Sequence, residues 1–165
     1  FTAQAMQGPS AWLFECGDLI PRSGPALDVA AGRGRHSLLL ASTGLHVTAI
    51  DRDADALARL QAQADRLGLA VTTRVTDLES GTPDLGDDGY DLVVVTRYLH
   101  RPLFPQLLLS LAPGGVLIYE TFLDRQAEIG HPKNPDFLLE SGELRTLVQP
   151  LEVLREFEGE FDGQW

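Results

Sequence analysis

The segment Leu27-Asp28-Val29-Ala30-Ala31-Gly32-Arg33-Gly34 joins a short apolar run to one carboxylate and two glycines. Glycines at such a place let backbone amides approach a ligand at the mouth of a helix, and the small Ala30 keeps that approach open. Asp51 follows Gly32 by nineteen positions, at the end of a second apolar run and next to Arg52. A carboxylate so placed accepts hydrogen bonds from both hydroxyls of an adenosine ribose. A third run ends at Thr76-Asp77-Leu78, where a carboxylate accepts from the exocyclic amine of adenine while the leucine packs on the ring. The fourth ends at Thr96-Arg97-Tyr98, followed by Leu99-His100-Arg101. Asp28 would oppose a bound pyrophosphate but suits a ligand that carries an ammonium group. Ser37 stands where a dinucleotide fingerprint wants Gly or Ala, and the phosphate-loop pattern ending in Gly-Lys-Ser/Thr is absent. The spacing therefore marks a nucleoside with a cationic end.

These residues need a scaffold that brings the ends of several apolar runs together, and the order of segments supplies one. Ser10 caps a helix through about Ile20, whose apolar residues Trp12, Leu13, Cys16, Leu19 and Ile20 recur at helical spacing before Pro21. Residues 26–30 read as a buried strand and 35–43 as a helix closed by Gly44. Strands at 45–50 and 69–75 flank an Ala/Leu/Arg helix at 53–67, with Asp53 as N-cap and Gly68 just past its end. A polar connection at 77–89 leads to residues 90–95, the most strand-like run and hence expected to be the central strand. A helix at 102–111 stops at Pro113-Gly114-Gly115, and 116–122 is another strand. Residues 123–139, with Gly130-His131-Pro132-Lys133-Asn134-Pro135, read as an irregular surface loop that serves binding. Ser141 opens a helix that runs to Val148 ahead of Pro150, and 151–157 read as a last strand. Alternating β and α segments predict a doubly wound, mostly parallel Rossmann-like sheet with helices on both faces, right-handed crossovers, and ligands beyond the carboxyl ends of the strands.

The chain has 165 residues, 44% of them apolar, enough for one core and too few for two ordinary domains. It is read as a single domain over residues 1–165, with 1–25 as an N-terminal cover. The 24 Asp and Glu against 13 Lys and Arg leave a net charge of -11, which repels nucleic-acid phosphates and anionic membrane surfaces alike. No apolar run approaches the ~20 residues of a membrane span. Cys16 is the only cysteine, so an intrachain bridge is impossible and a reducing compartment is implied. Residues 1–9 lack a basic n-region, an apolar h-region and an initiator Met, which reads as cytoplasmic and as a start inside a longer gene product or at a trimmed tag. His36, His46 and the scattered acids form no metal-ligand spacing, and no metal is expected.

The run from Leu27 to Ser37, then Asp51, Asp77-Leu78, Tyr90-Asp91-Leu92-Val93 and Leu111-Ala112-Pro113-Gly114-Gly115 resemble, in order, the motifs of class I S-adenosylmethionine-dependent methyltransferases. The Gly34-Arg35-His36-Ser37 loop and the Gly142-Glu143-Leu144-Arg145 segment are similar to the small tellurite-resistance and thiopurine-type members. The resemblance spans residues 26–158. It implies that the loop at Ala30, Gly32 and Gly34 holds the methionyl part of S-adenosyl-L-methionine, Asp51 the ribose, Asp77 and Leu78 the adenine, and the Thr96 backbone the amino end. Ala30 stands where the family usually has Gly, and its methyl is expected to be tolerated through a negative φ. The family's final antiparallel hairpin strand has no counterpart before Trp165, leaving the sheet edge incomplete.

The implied reaction is transfer of the methyl group to a small-molecule nucleophile by in-line displacement, which needs mainly alignment and, for a hydroxyl or ammonium acceptor, a base such as His100. The alternatives are an S-adenosylmethionine-binding module without catalysis and a small NAD(P)-dependent oxidoreductase. Arg35 opposes the dipole of its helix, so it contacts the cofactor carboxylate or the acceptor, or is simply solvated. Asp77 has an ordinary reading as a turn former. Tyr98, His100 and Arg101 are candidates for acceptor contact. Tyr98 and Phe122 line a pocket or pack in the core, and His131 belongs to a lid or an exposed loop. Neither the acceptor nor the oligomeric state is legible.

Overall fold

The computed structural model describes residues 9–86, 89–160 and 164–165, so residues 1–8 of the expected cover lie outside the described residues. Five strands, β1 (Gly24–Val29), β2 (Leu45–Asp51), β3 (Val71–Val75), β4 (Tyr90–Thr96) and β5 (Leu111–Glu120), form one parallel sheet ordered β3-β2-β1-β4-β5. The helices are α1 (Ala11–Glu15), α2 (Arg35–Ser42), α3 (Ala54–Leu67), α4 (Phe104–Ser110), α5 (Gln126–Ile129) and α6 (Glu143–Leu147).

Strands buried on both faces read as continuous apolar runs, and here Leu92 to Val95 of β4 are each fully buried. Alternate side chains serve opposite cores. Ala26, Val47, Ala49, Leu92, Val94 and Ile118 pack with residues of α1, α2 and α3. Leu27, Val29, Ile50, Val93, Val95 and Tyr119 pack on the other face with α4, α6 and Leu139. The chain winds outward from β1 through β2 to β3, then returns to place β4 on β1's other side. The ends of β1 and β4 thus flank the point where the winding reverses, the place at which such sheets bind ligands.

Local chemistry explains the helices. In α3, the Asp53 side chain accepts from the Ala56 amide at 3.0 Å, Gly68 ends the helix at φ 66°, and Leu57, Leu60 and Ala64 recur on the buried face. Burying leucines such as these contributes roughly 1.5–3 kcal/mol apiece. Gly34 precedes α2 at φ 75°, and a Cβ there would stand 2.3 Å from Leu60 of α3, so the position demands glycine on two counts.

Three expectations are corrected. Ser10 caps α1 by accepting from the Trp12 amide, but the helix stops at Glu15 and residues Gly17–Leu19 form a separate 3₁₀ turn. Gly17 has no side chain to favour further helix, and the apolar periodicity continues across the break. Residues 151–157 pair with no strand. Instead their charges bind outward, Arg155 to Asp18 at 2.7 Å and Glu156 to Arg145, making a strap across the surface. The centre of the sheet is β1, with β4 beside it. Residues 123–139 are mostly irregular, as expected, with α5 and a 3₁₀ turn at Pro135–Phe137, and a bridge between Leu123 and Leu139 draws the ends of the loop together.

Candidate functional site

The register places the strand ends side by side: Val29 pairs with Ile50 and Val95, Asp51 with Val75, and Thr96 with Glu120. Beyond these ends opens a cavity of about 470 Å³. From β2 and β3 its walls receive Asp51, Arg52, Asp77, Leu78 and Glu79, and Ala30 follows β1. From β4, β5 and the long loop come Arg97, Tyr98, Leu99, Thr121, Phe122, Pro132 and Phe137.

Asp51 is the best-oriented group in it. Its Oδ2 accepts from the Gly32 amide at 2.8 Å and its Oδ1 from the Asp53 amide at 2.9 Å. Each oxygen keeps a free lone pair, so the carboxylate presents two acceptors in a fixed orientation, the pattern that suits a vicinal diol. Gly32 lies at φ 56°, with open space where a Cβ would project, so its loop leaves room for a ligand's approach. Asp77 accepts from the Glu79 amide at 3.0 Å, so its turn-forming role is realised while one oxygen stays available; Leu78 is buried beside it.

Asp28 is 1% exposed. Ser37 donates to its Oδ2 at 2.6 Å, and its Oδ1 has no partner among the described residues. Burial, opposed only in part by Ser37, pushes its pKa up to about 6. A buried carboxylate oxygen left without a partner fits a cationic ligand group better than an anionic one. Asp28, Gly32, Gly34, Arg35 and Thr96 do not themselves wall the cavity. Arg35, half-buried in the first turn of α2, has its pKa drawn down by burial and by Arg97.

Backbone strain is concentrated at the reversal point. Among the described residues, two that are not glycine have positive φ, Ala30 at 55° and Arg97 at 53°. They immediately follow β1 and β4, the two strands that flank the site. The negative φ expected at Ala30 is therefore corrected: the loop needs the left-handed conformation, and alanine adopts it at a cost of about 1–2 kcal/mol.

Of the acceptor candidates, Tyr98 lies in the wall, with its hydroxyl buried and without a partner among the described residues. Burial and the neighbouring Glu79 and Asp77 push its pKa up to about 12, keeping it a donor. His100 stands outside the wall, with Nδ1 3.5 Å from Glu79. Arg101 is committed elsewhere: it forms a two-pronged pair with Glu143 at 2.5 and 2.9 Å and donates to the Leu138 carbonyl, tying the long loop to α6. Phe122 lines the cavity and Pro132 extends it, whereas His131 is exposed and its carbonyl accepts from Gln126.

Sequence reasoning missed two groups. Arg97, Glu79 and Phe137 enter the wall, although Arg97 was visible as the residue directly after β4. His36 forms a buried link between segments, accepting from the Ser10 amide at Nε2 (2.9 Å) and facing Thr96 Oγ1 from Nδ1 (3.1 Å). Because an amide can only donate, Nε2 is unprotonated and Nδ1–H donates to Thr96. Burial, reinforced by Arg35 and Arg97, lowers its pKa to about 4. Ser10 also donates to Glu120 at 2.6 Å, fastening the start of α1 to the ends of β4 and β5.

Residues 26–115 match a family model described as a methyltransferase domain. A protein-L-isoaspartate O-methyltransferase of Chlorobaculum tepidum is 36% identical over 97 residues, covering 58% of this chain and 44% of that protein. A demethylmenaquinone methyltransferase of Clavibacter sepedonicus is 34% identical over 99 residues, covering 56% and 38%. The alignments thus span less than half of these relatives. The crystal structure of TehB from Haemophilus influenzae superposes with a TM-score of 0.72 at 21% identity, covering 90% of this chain and 52% of that one, a likeness of fold.

Proposed function

The chain belongs to the methyltransferase-domain family, whose class uses S-adenosylmethionine, and from that premise we propose that it binds this cofactor at the cavity and transfers its methyl group to a small-molecule nucleophile. The observation that carries the reading is Asp51, oriented by the Gly32 and Asp53 amides within one cavity that also holds Asp77 and Leu78. When bound, the cofactor supplies a methyl group already activated by its sulfonium. The residues of the chain then hold and orient. Asp51 takes the ribose hydroxyls, Asp77 and Leu78 the adenine, and the loop from Ala30 to Gly34 the methionyl part, with Arg52 and Arg35 at its flanks. The amino end is assigned to the Thr96 backbone and, from behind the wall, to Asp28, whose unpartnered buried oxygen an ammonium group would offset. Phe122, Pro132 and Phe137 supply apolar surface to the other half of the cavity. A soft anionic acceptor needs no base, so alignment is the main contribution of the protein.

The relatives named above act on acceptors as different as an isoaspartyl protein and demethylmenaquinone, so the acceptor has to be read from this chain's own walls. The net charge of -11 weighs against nucleic acid as the acceptor. Calorimetric titration with S-adenosylhomocysteine, NAD and NADP tests the cofactor. Saturable binding of the first alone is expected, and binding of a nicotinamide nucleotide in its place would overturn the reading. Methylated product from a panel of thiols, oxyanions and amines separates an enzyme from a binding module.

A further inference from the structure

The cavity divides by charge. Asp51, Asp77 and Glu79 gather with Arg52 on the side of β2 and β3, which is net negative, whereas the other side carries Arg97 among apolar groups. The side chain of Arg97 is exposed and forms no ion pair among the described residues, and its guanidinium lies 5.9 Å from the centre of the Phe122 ring. Its backbone is held at φ 53° by donation to the Glu120 carbonyl at 2.8 Å, so the fold maintains a strained conformation at this residue. Arg35 lies outside the wall, its pKa lowered by burial and Arg97 and raised by Glu120 and Asp28. Phe122, Pro132 and Phe137 form a neighbouring apolar surface.

We infer that Arg97 selects the methyl acceptor: it receives the carboxylate or other oxyanion of a small molecule whose flat apolar body lies against Phe122, Pro132 and Phe137. The inference rests on the proposed cofactor site, which supplies the other half of the cavity. A guanidinium presents a fork of donors that matches a carboxylate, and such charge-assisted pairs discriminate strongly against neutral analogues. Without Arg97 the same cavity holds three carboxylates against Arg52 alone and would repel an anion. The cofactor's own carboxylate is the other source of an oxyanion, and binding measurements distinguish the two.

The probes are 2-naphthoate and 2-naphthamide, similar in shape and different in charge, titrated into protein saturated with S-adenosylhomocysteine and followed by ligand-observed NMR. The wild-type chain is expected to bind the naphthoate at least about tenfold more tightly than the amide. Arg97→Gln should abolish or invert that preference and leave the affinity for S-adenosylhomocysteine within about twofold, which also shows that the variant is folded; Arg97→Lys should restore part of it. Absence of a preference in the wild-type protein, including failure of both probes to bind, overturns the inference, as does a preference that survives in Arg97→Gln. Parallel weakening of S-adenosylhomocysteine by Arg97→Gln would assign the arginine to the cofactor instead. If the wild-type protein does not bind S-adenosylhomocysteine at all, it is the cofactor reading that fails.

Discussion

Replacing Asp51 by alanine removes the group on which the cofactor reading turns. Its carboxylate takes one backbone amide on each oxygen, from Gly32 at 2.8 Å and Asp53 at 2.9 Å, and so has one lone pair per oxygen for a ribose hydroxyl. Hydrogen bonds to a charged group are worth about 1.5–3 kcal/mol net, and the diol replaces water that already solvates the half-buried carboxylate. Counting the two hydrogen bonds together as one such contribution, because water is displaced, the loss is about 1.5–3 kcal/mol, or roughly 10- to 150-fold in affinity. Asp51→Asn refines the test. An amide has one acceptor oxygen, so its NH2 group must face one of the two backbone N–H groups, donor against donor, and the turn at Gly32 or at Asp53 loses its anchor. Both variants should therefore weaken S-adenosylhomocysteine in calorimetry by at least about tenfold, with unfolding midpoints measured alongside to separate loss of binding from loss of fold. An affinity unchanged within twofold in the folded Asp51→Ala protein would show that the sugar is not recognised here, and the assignment of the whole cavity would fall with it.

Two further consequences follow from backbone strain and buried charge. Ala30→Gly should stabilise the apo-protein by about 1 kcal/mol, because relief of the left-handed strain exceeds the added flexibility of the unfolded chain, and thermal unfolding should shift upward by roughly 2–4 °C; a lowered midpoint would contradict the strained loop. His36, with a folded pKa near 4 against an ordinary 6.5, contributes stability that is complete above pH 6.5 and is lost as pH falls towards 4, about 3 kcal/mol in all. Asp28 has the opposite sign: its pKa, raised from 3.8 to about 6, makes its burial cost about 3 kcal/mol above pH 6, a penalty that disappears as pH falls through 6 towards 3.8. The two effects largely cancel in the wild-type protein. Urea unfolding of Asp28→Asn at pH 4–7 should therefore show a steeper acid loss than the wild-type chain, and superimposable curves would refute the opposed pair.

Much of the scaffold was legible along the chain because its strands are buried on both faces. Residues 26–29 and 92–95 had to be nearly all apolar, and Asp53, Gly44 and Gly68 marked helix ends by side-chain and φ requirements that act within a few residues. Asp51 was legible for a related reason, since the connection from Gly32 to Asp51 is one βαβ unit whose length is set by the elements themselves. What acts over a few residues leaves its mark on sequence.

What only the tertiary structure decided concerns groups brought together from distant segments. Whether residues 151–157 pair depends on a neighbouring strand edge and on Asp18 and Arg145, which sit elsewhere in the chain, so a strand-like composition was not sufficient. Arg101 looked like a group reaching a ligand until Glu143 occupied it, whereas Arg97, one strand end away from Ala30, proved to share both its strain and its cavity. The burial that raises Asp28 and lowers His36 comes from layers packed above and below the sheet. Residue types and spacing determined which chemistry this protein carries; packing across the point where the sheet reverses its winding determined which of those residues face the same space, because only there do desolvation and proximity act on all of them at once.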